Sequence, residues 1–345
     1  MAQIVNPRVE VRIFGATDTI TIKDLFMSVA ITKDLEDEPN EADLTVYNLA
    51  AATRAQLVDA DSHAAPVEIY LTPSGIDELV LAFRGEVDNV HHRNMRPGYE
   101  TTIHCTSQQL NHRSKYIDKK TFAAGTSVSA IVDFFVKEIS LPSQIETLPS
   151  QNIILSQSFN GPAFLLLHRF VNDFGMFAFI LDGVLHISSV DAPNDPQGIS
   201  IDPNMLLTAP ESTLRTDAER IQRMLNFDID YKDPVKKKRR RKTKVRKVAG
   251  LYKGATASGA DDYVEFEAVD TEIRGYDFTL LMQPHLQPDN LIHFNTDELK
   301  NKLHRITVVR HFGNNENFSD WTTELETQEY IDDDGDILAG LNLEL

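Results

Sequence analysis

Short stretches of alternating apolar and polar residues fill the first 110 residues, and they limit the possible folds more than any other feature. Residues 9–13 and 20–22 alternate in this way on either side of a turn-like segment, which predicts a β-hairpin. The alanine-rich residues 50–59 form the one predicted helix of this region. Further strands are predicted at 26–32, 42–48, 67–71, 80–91 and 99–107. Many short strands with a single helix favour a barrel or a sandwich over a doubly wound sheet.

The pattern changes after residue 114. Apolar residues at helical spacing predict one helix over 126–140, with a cap at Ser127, and a second over 162–174, with Pro162 at its first position. An Asp-Gly pair at 182–183 separates two apolar runs, which is a strong signal for a β-hairpin over 177–188. We therefore predict a small α/β domain at 113–205, packed around these two helices and this hairpin.

Strand patterns return after residue 206, at 225–231, 263–268, 290–294, 302–311 and 322–327. One hairpin in each β region has a similar sequence: a Val-rich strand, His92 or His311, a polar turn, then Tyr99 or Trp321 before a Thr-rich strand. Either all antiparallel hairpins look alike in this way, or the chain contains an internal duplication. The duplication predicts a mainly β (α+β) protein of two barrels, 1–112 and 206–327, separated by the α/β domain and followed by an acidic tail, 328–345.

Charge is distributed unevenly along the 345 residues. The chain carries 34 basic and 52 acidic residues, a net charge of −18, yet ten of the basic residues lie between 236 and 247. Without this segment the chain has 24 basic and 52 acidic residues, a net charge of −28. The chain outside this segment is therefore acidic enough to repel nucleic acid at long range. The longest apolar run has six residues, 176–181, so no membrane anchor is expected.

The basic segment has three possible interpretations. It is a solvated loop tip, a contact for an acidic protein partner, or an arm that binds nucleic acid. It has no interleaved aromatic residues on which bases could stack, so we favour a protein contact over DNA. Its basic residues are Lys236, Lys237, Lys238, Arg239, Arg240, Arg241, Lys242, Lys244, Arg246 and Lys247.

Catalytic and metal-binding patterns are weak. Cys105 follows His104 directly in a predicted strand, so their side chains point to opposite faces and cannot form a nucleophile–base pair. The same argument separates His91 from His92, which leaves no convergent zinc ligands with His104. The acidic run in the tail lacks the spacing of a calcium loop. We predict a protein that is not an enzyme, with no metal site and no cofactor.

Three stretches resemble the baseplate hub proteins of contractile-tailed bacteriophages, a family related to the first half of type VI secretion spike proteins. The first stretch is ADLTVYNL at 42–49, the second LAFRGEV at 81–87, and the third PDNLI at 288–292 followed by LHRITVVRH at 303–311 and WTTELE at 321–326. The similarity covers about residues 1–327 and depends on the order and spacing of these stretches.

The resemblance implies two tube-type β-barrels per chain and a homotrimer whose six barrels join the sixfold tail tube to the threefold spike. It implies a place in the virion, at the tail baseplate, with assembly in the host bacterial cytoplasm. The implied partners are other copies of the chain, the tail tube protein, the spike or needle protein, the tape-measure protein and the baseplate wedge proteins, with DNA passing transiently through the lumen. The chain lacks a β-helix and a lysozyme-like domain, so the spike is expected to be a separate protein. Alternatives are a hub component of a phage-tail-like injection particle or secretion system, and a nucleic-acid-binding protein that uses residues 236–247.

Residues of the two similar hairpins are the candidate contacts between barrels. They are Arg84, Gly85, His91, His92, Thr101, Thr102, Arg305, Arg310, His311, Trp321 and Thr322.

Overall fold

The computed structural model describes residues 6–15, 18–35, 39–61, 64–107, 115–145, 148–189, 198–216, 272–294, 303–315 and 320–330. These residues form a mostly β structure, as predicted. The helices are α1 (Ala51–Asp61), α2 (Val128–Ile139) and α3 (Ala163–Asn172), with a short 3-10 helix at Pro203–Met205. The strands are β1 (Val9–Phe14), β2 (Thr19–Ile22), β3 (Met27–Asp34), β4 (Glu41–Tyr47), β5 (Pro66–Leu71), β6 (Val80–Met95), β7 (Gly98–Thr106), β8 (Tyr116–Phe122), β9 (Ser143–Ile145), β10 (Gln157–Pro162), β11 (Met176–Leu181), β12 (Val184–Ser189), β13 (Ile199–Ile201), β14 (Glu211–Thr216), β15 (Glu272–Leu281), β16 (Leu291–Phe294), β17 (Leu303–Asn314) and β18 (Thr322–Tyr330).

The first seven strands pair in the order β2-β1-β5-β6-β7-β4-β3. Their alternating sequence becomes alternating burial: in β3 the side chains of Met27, Val29 and Ile31 are buried, and those between them are half-buried. This side of the sheet, together with Leu57 of α1, encloses one apolar core. Because the side chains of a strand alternate between its two faces, the pattern of the sequence fixes which face meets the core.

The last six strands pair in the order β14-β15-β18-β17-β16-β13. This is the order β3-β4-β7-β6-β5-β1 of the first region, strand for strand. The two differ at one end, where β13 and β16 are parallel but β1 and β5 are antiparallel. A second core lies against these strands, with Phe278, Phe294 and Ile306 among its buried members. Both ends of the chain therefore repeat one strand topology.

Strand β17 also pairs with β3, which joins the two sets of strands into one sheet of thirteen strands among the described residues. The pairing is antiparallel and continuous from Val308 opposite Asp34 to Asn314 opposite Ser28. Such pairing satisfies the backbone groups of a strand that would otherwise be an open edge.

The middle of the chain forms a separate core between α2, α3 and two small sheets, β8–β10 and β9–β12–β11. The Ser127 side chain accepts a hydrogen bond from the Ala130 backbone N–H, so it caps α2 as predicted. The hairpin of β11 and β12 turns at Asp182 and Gly183, also as predicted. Pro162 was placed one residue too far into α3: it ends β10 and precedes the helix.

Strand β11 is buried on both faces, which explains why its sequence is continuously apolar. Met176 and Ala178 face the core of the α/β region. Phe177, Phe179 and Leu181 face the opposite way and pack against Leu35, which follows β3. Full burial of one such phenylalanine stabilises a structure by about 1.5–3 kcal/mol. The β11–β12 hairpin thus packs against the chain at the end of β3, which belongs to the thirteen-stranded sheet.

Several predictions lie outside the described residues. These are the strands at 225–231 and 263–268, the basic segment 236–247 and most of the acidic tail. Strands β8, β9, β10, β13, β14 and β15 were missed: β9 and β13 have only three residues each, and the sequences of the other four lack regular alternation.

Candidate assembly interface

The two hairpins singled out in the sequence have the same irregularity. The pairing of β6 with β7 shifts register between Val87 and Asn89. The pairing of β17 with β18 shifts between Ile306 and Val308. A bulge inserts one residue and bends the strand, so its position is a specific feature of a hairpin. The two bulges align the hairpins in the same way as the sequence comparison.

A histidine–threonine pair occupies the equivalent place in both hairpins. His92 Nδ1 lies 3.0 Å from Thr101 Oγ1, and His311 Nδ1 lies 3.0 Å from Thr323 Oγ1. Each histidine is directly opposite its threonine in the strand register. The two hairpins therefore share a side-chain contact as well as a backbone shape.

The surroundings of the two histidines differ. His92 is exposed, and its Nε2 lies 3.3 Å from the backbone oxygen of Arg54 in α1. His311 is fully buried and lies opposite Ile31 of β3 in the strand register. Burial, reinforced by the positive charge of Lys33, lowers the pKa of His311 to about 3, so that its side chain is neutral in the folded protein. Strand β3 pairs beside His311, whereas in the described residues His92 has a strand partner only in β7.

We call the pairing of β17 with β3 the seam. The strands equivalent to β17 and β3 are β6 and β14, and each of them has an edge. In the described part of the chain, residues 89–95 of β6 pair with β7 alone, although residues 308–312 of β17, the equivalents of 89–93, pair on both sides. Within the same ranges β14, the equivalent of β3, pairs with β15 alone. Residues 91–95 are all exposed. Residues 89–95 of β6 and the strand β14 are thus two edges of the types that pair where β17 meets β3.

A buried ion pair fixes the α/β hairpin to this sheet. Lys33, whose side chain is 0% exposed, places its Nζ 3.2 Å from both carboxylate oxygens of Asp182. The Arg84 backbone N–H donates to Asp182 Oδ1 at 3.1 Å, and Gln287 Nε2 donates to Asp182 Oδ2 at 3.2 Å. Asp182 also adopts a left-handed φ of 49°, which the hairpin turn requires. One carboxylate therefore joins the first β region, the second and the hairpin.

Trp321 connects the two β regions directly. Its side chain is 2% exposed and belongs to the core of the first region. Its indole Nε1–H donates to the backbone oxygen of Thr72 at 2.8 Å. Gly313 lies under the indole, where a Cβ atom would collide with the ring. The aromatic residue of the second hairpin is thus a contact between the two β regions within one chain.

A second ionic contact joins the α/β hairpin to β17. Arg305 is buried, with its Nε 2.8 Å from Asp289 Oδ1 and its guanidinium 4.9 Å from the ring centre of Phe177. Ser188 of β12 donates to the other oxygen of Asp289 at 3.0 Å. Arg305 therefore contacts the α/β hairpin rather than the outer surface.

The remaining predicted residues lie on the exposed or half-buried face. Arg84 pairs with Glu68 at 2.8 Å and Arg310 with Glu326 at 2.7 Å. The His91 ring meets His104 edge-on, 6.1 Å between centres. Thr102 is directly opposite His91, and Thr322 opposite Phe312. Gly85 is needed because a Cβ atom there would collide with the Thr106 carbonyl.

Sequence reasoning missed the two residues of the central ion pair. Lys33 follows Met27, Val29 and Ile31 on the buried face of β3, and a charged residue at a core position is a signal for a buried partner. Asp182 was identified only as a turn residue. The sequence separates them by 149 positions, so the pairing itself has no local signal.

Other chemistry is limited in the described residues. Cys105 is buried, and burial raises the pKa of its thiol, while His104 lies on the other face of β7 next to Asp43. Among the same residues no group of three His, Cys, Asp or Glu side chains is arranged to hold a metal ion. No helix in the described ranges is long and apolar enough to cross a membrane.

Solved structures of phage tail proteins share this fold. The 43 kDa tail protein of prophage MuSo2 from Shewanella oneidensis aligns over 96% of this chain and 99% of its own, with a TM-score of 0.57 and 13% identity. A tail protein from Neisseria meningitidis aligns over 94% and 97%, with a TM-score of 0.56 and 10% identity. The E. coli c3393 protein, a type VI secretion component described as similar to the T4 tail proteins gp27 and gp5, aligns over 93% and 76%, with a TM-score of 0.53 and 8% identity.

Residues 8–214 match the family model of the baseplate hub gp41 proteins, so the chain belongs to that family. The search of curated proteins returned no match. Membership confirms the resemblance to baseplate hubs that the sequence indicated, and the fold shared with the c3393 protein agrees with the predicted relation to type VI secretion proteins. The family is a structural one of phage tails.

Proposed function

We propose that this chain is the non-enzymatic hub of a phage baseplate, a homotrimer that joins a sixfold tail tube to a threefold spike. The observation that carries the proposal is the repeated strand order of the two β regions. Two equivalent β units in each of three chains supply six units, which fit a sixfold ring on one side while the trimer keeps threefold symmetry on the other. We keep the division at residues 112 and 205 as part of this proposal.

The two strand edges supply the contact between copies. The run from β14 through β15, β18, β17, β3, β4 and β7 to β6 contains one internal seam, β17 with β3. An identical seam between copies would pair β6 of one chain with β14 of the next. Repetition of that step around a threefold axis closes a ring of 24 strands, and closure removes the open edges.

The remaining partners follow from the same assembly. The tail tube protein, tape-measure protein, spike and wedge proteins would contact the rims of the ring, and DNA would pass through its lumen without persistent binding. The basic residues 236–247, which lie outside the described ranges, would contact an acidic surface of a neighbouring copy or of another tail protein. Replacement of Lys236 to Lys242 by Ser and Gly should then reduce the number of assembled tails.

Mass photometry of the full chain tests the proposal. A homotrimer has three times the 38.9 kDa of one chain, about 117 kDa. A species of this mass that persists upon dilution supports the proposal. A protein that remains at 38.9 kDa at micromolar concentration, or retention on DNA that weakens with salt, would favour the nucleic-acid-binding alternative.

A further inference from the structure

The seam inside the chain sets the register of the seam between copies. This inference rests on the homotrimer proposed above and adds to it a specific residue pair. Within one chain β17 pairs with β3, and this pairing is the template. Because the two β regions are equivalent, β6 corresponds to β17 and β14 corresponds to β3.

Strand β17 corresponds to β6 residue by residue. The bulges make Val308 equivalent to Asn89, which is the first paired residue after the shift in each hairpin. Counting along both strands then makes His311 equivalent to His92, in agreement with their threonine contacts. One residue further, Phe312 is equivalent to Arg93.

Strand β3 corresponds to β14, and the strands that pair beside them fix which residues are equivalent. Asn89 lies opposite His104, and Val308 opposite Glu326, so His104 and Glu326 are equivalent. Their partners on the next strands are Asp43 and Asp277. Asp43 lies opposite Ala30 of β3. Asp277 lies opposite Glu211 of β14. Ala30 is therefore equivalent to Glu211.

The template places Phe312 directly opposite Ala30. We infer that Arg93 of one copy lies directly opposite Glu211 of the next and forms a cross-strand ion pair that selects the register of the seam. Both side chains are exposed in the single chain. Directly opposite residues in an antiparallel pair point to the same face with Cβ atoms about 4.5–5.5 Å apart, and an opposite-charge pair there is favourable.

The charges beside these two residues strengthen the inference. Glu211 lies opposite Asp277 on its own sheet, and like charges in that position repel. Arg93 lies opposite Glu100. The seam between copies would thus place Arg93 between two acids, Glu100 on one side and Glu211 on the other, with Asp277 beyond Glu211. A slip by one residue would send Arg93 to the other face of the sheet from Glu211, so the pair discriminates between registers.

Charge reversal in the full chain tests the pair. Arg93→Glu and Glu211→Arg should each raise the dissociation constant of the trimer about tenfold, because each places like charges together. The double variant Arg93→Glu/Glu211→Arg should recover most of the parent affinity. Arg96→Glu makes the same charge change at an exposed turn residue just beyond β6 and should leave assembly unchanged. Single variants that assemble like the parent, or a double variant no better than either, would overturn the inference.

A covalent test does not depend on the affinities. With Arg93→Cys and Glu211→Cys in one chain, mild oxidation should give disulfide-linked oligomers on a non-reducing gel, because the Cα atoms of directly opposite residues are about 4.5–5.5 Å apart, within disulfide range. The native Cys105 is buried and should not compete. Arg96→Cys with Glu211→Cys is the control and should give no such product. A trimeric parent without the 93–211 crosslink overturns this register alone, whereas a monomeric parent overturns the homotrimer and the register together.

Discussion

Lys33 and Asp182 form a buried ion pair between the first β region and the α/β hairpin, with Nζ 3.2 Å from both carboxylate oxygens. Lys33 has no exposed side-chain surface, and Asp182 retains 16%. Burial lowers the pKa of Lys33, and the Asp182 carboxylate opposes that shift. The lysine thus depends on its partner more than the aspartate does, since Asp182 also accepts from Arg84 and Gln287.

This asymmetry predicts unequal costs for the two halves of the pair. Asp182→Asn keeps the left-handed turn but leaves a buried ammonium without a counter-charge, and should lower the free energy of unfolding by about 3 kcal/mol. Lys33→Met should cost about 1 kcal/mol, because Asp182 keeps two donors and some solvent. Urea unfolding followed by circular dichroism measures both. Asp77→Asn, which breaks the exposed Arg8 pair, is the control and should cost less than 0.5 kcal/mol. The reverse order of the two costs would contradict this account.

The indole of Trp321 gives a second prediction. Trp321→Phe removes the donor to the buried Thr72 carbonyl and should lower the free energy of unfolding by about 1–3 kcal/mol. Tyr99→Phe, at the equivalent place of the first hairpin, alters a 40% exposed ring that stacks on Arg54, and should change stability little. Thermal unfolding by circular dichroism compares the two variants. Equal stability of Trp321→Phe and the parent would remove this bond from the contact between the β regions.

Asp173, just after α3, should be a source of instability at neutral pH. Burial raises the pKa of its carboxyl to about 6, and a negative charge at a helix C-terminus is unfavourable. When the pKa of a carboxyl is higher in the folded than in the unfolded protein, ionisation of that carboxyl destabilises the folded state. The free energy of unfolding therefore falls as the pH rises from about 4 to about 6. Asp173→Asn should therefore stabilise the protein by about 1–2 kcal/mol at pH 8 and hardly at pH 4. Asp133→Asn on the exposed side of α2 is the control. If Asp173→Asn raised the free energy of unfolding equally at pH 4 and pH 8, the ionised carboxylate of Asp173 would not be the cause.

His311 should make the folded protein sensitive to acid. Its pKa is lowered to about 3, whereas an unfolded histidine titrates near 6.5. The unfolded state therefore binds the extra proton first, and stability falls as pH decreases from about 6.5 towards 3. At pH 5 this amounts to about 2 kcal/mol. His311→Asn should flatten the dependence of the unfolding free energy on pH over that range, and His92→Asn, at the exposed equivalent position, should not. An unchanged slope in His311→Asn would refute the assignment.

The sequence predicted most of the strands that alternate regularly and the two long amphipathic helices. It also predicted the turn at Asp182 and the similarity of the two hairpins, because alternation, capping and turn residues are local signals. It did not predict the partner of Lys33, the indole contact with Thr72 or the seam between β3 and β17. Each of these joins residues more than 140 positions apart, and their geometry is set by how the two β regions and the hairpin pack together. Strand β15 was missed because Gly275 and its charged residues interrupt the alternation.

Electron cryomicroscopy of the purified full chain tests the central claim most directly. Viewed along the symmetry axis, the assembly should show three chains and six similar β units around one lumen, with β6 of each chain beside β14 of the next. Imposed threefold symmetry should sharpen the map, and sixfold symmetry should fit the β units but blur the α/β regions. A closed assembly with another number of chains, or a trimer in which the edges of β6 and β14 face solvent, would contradict the account.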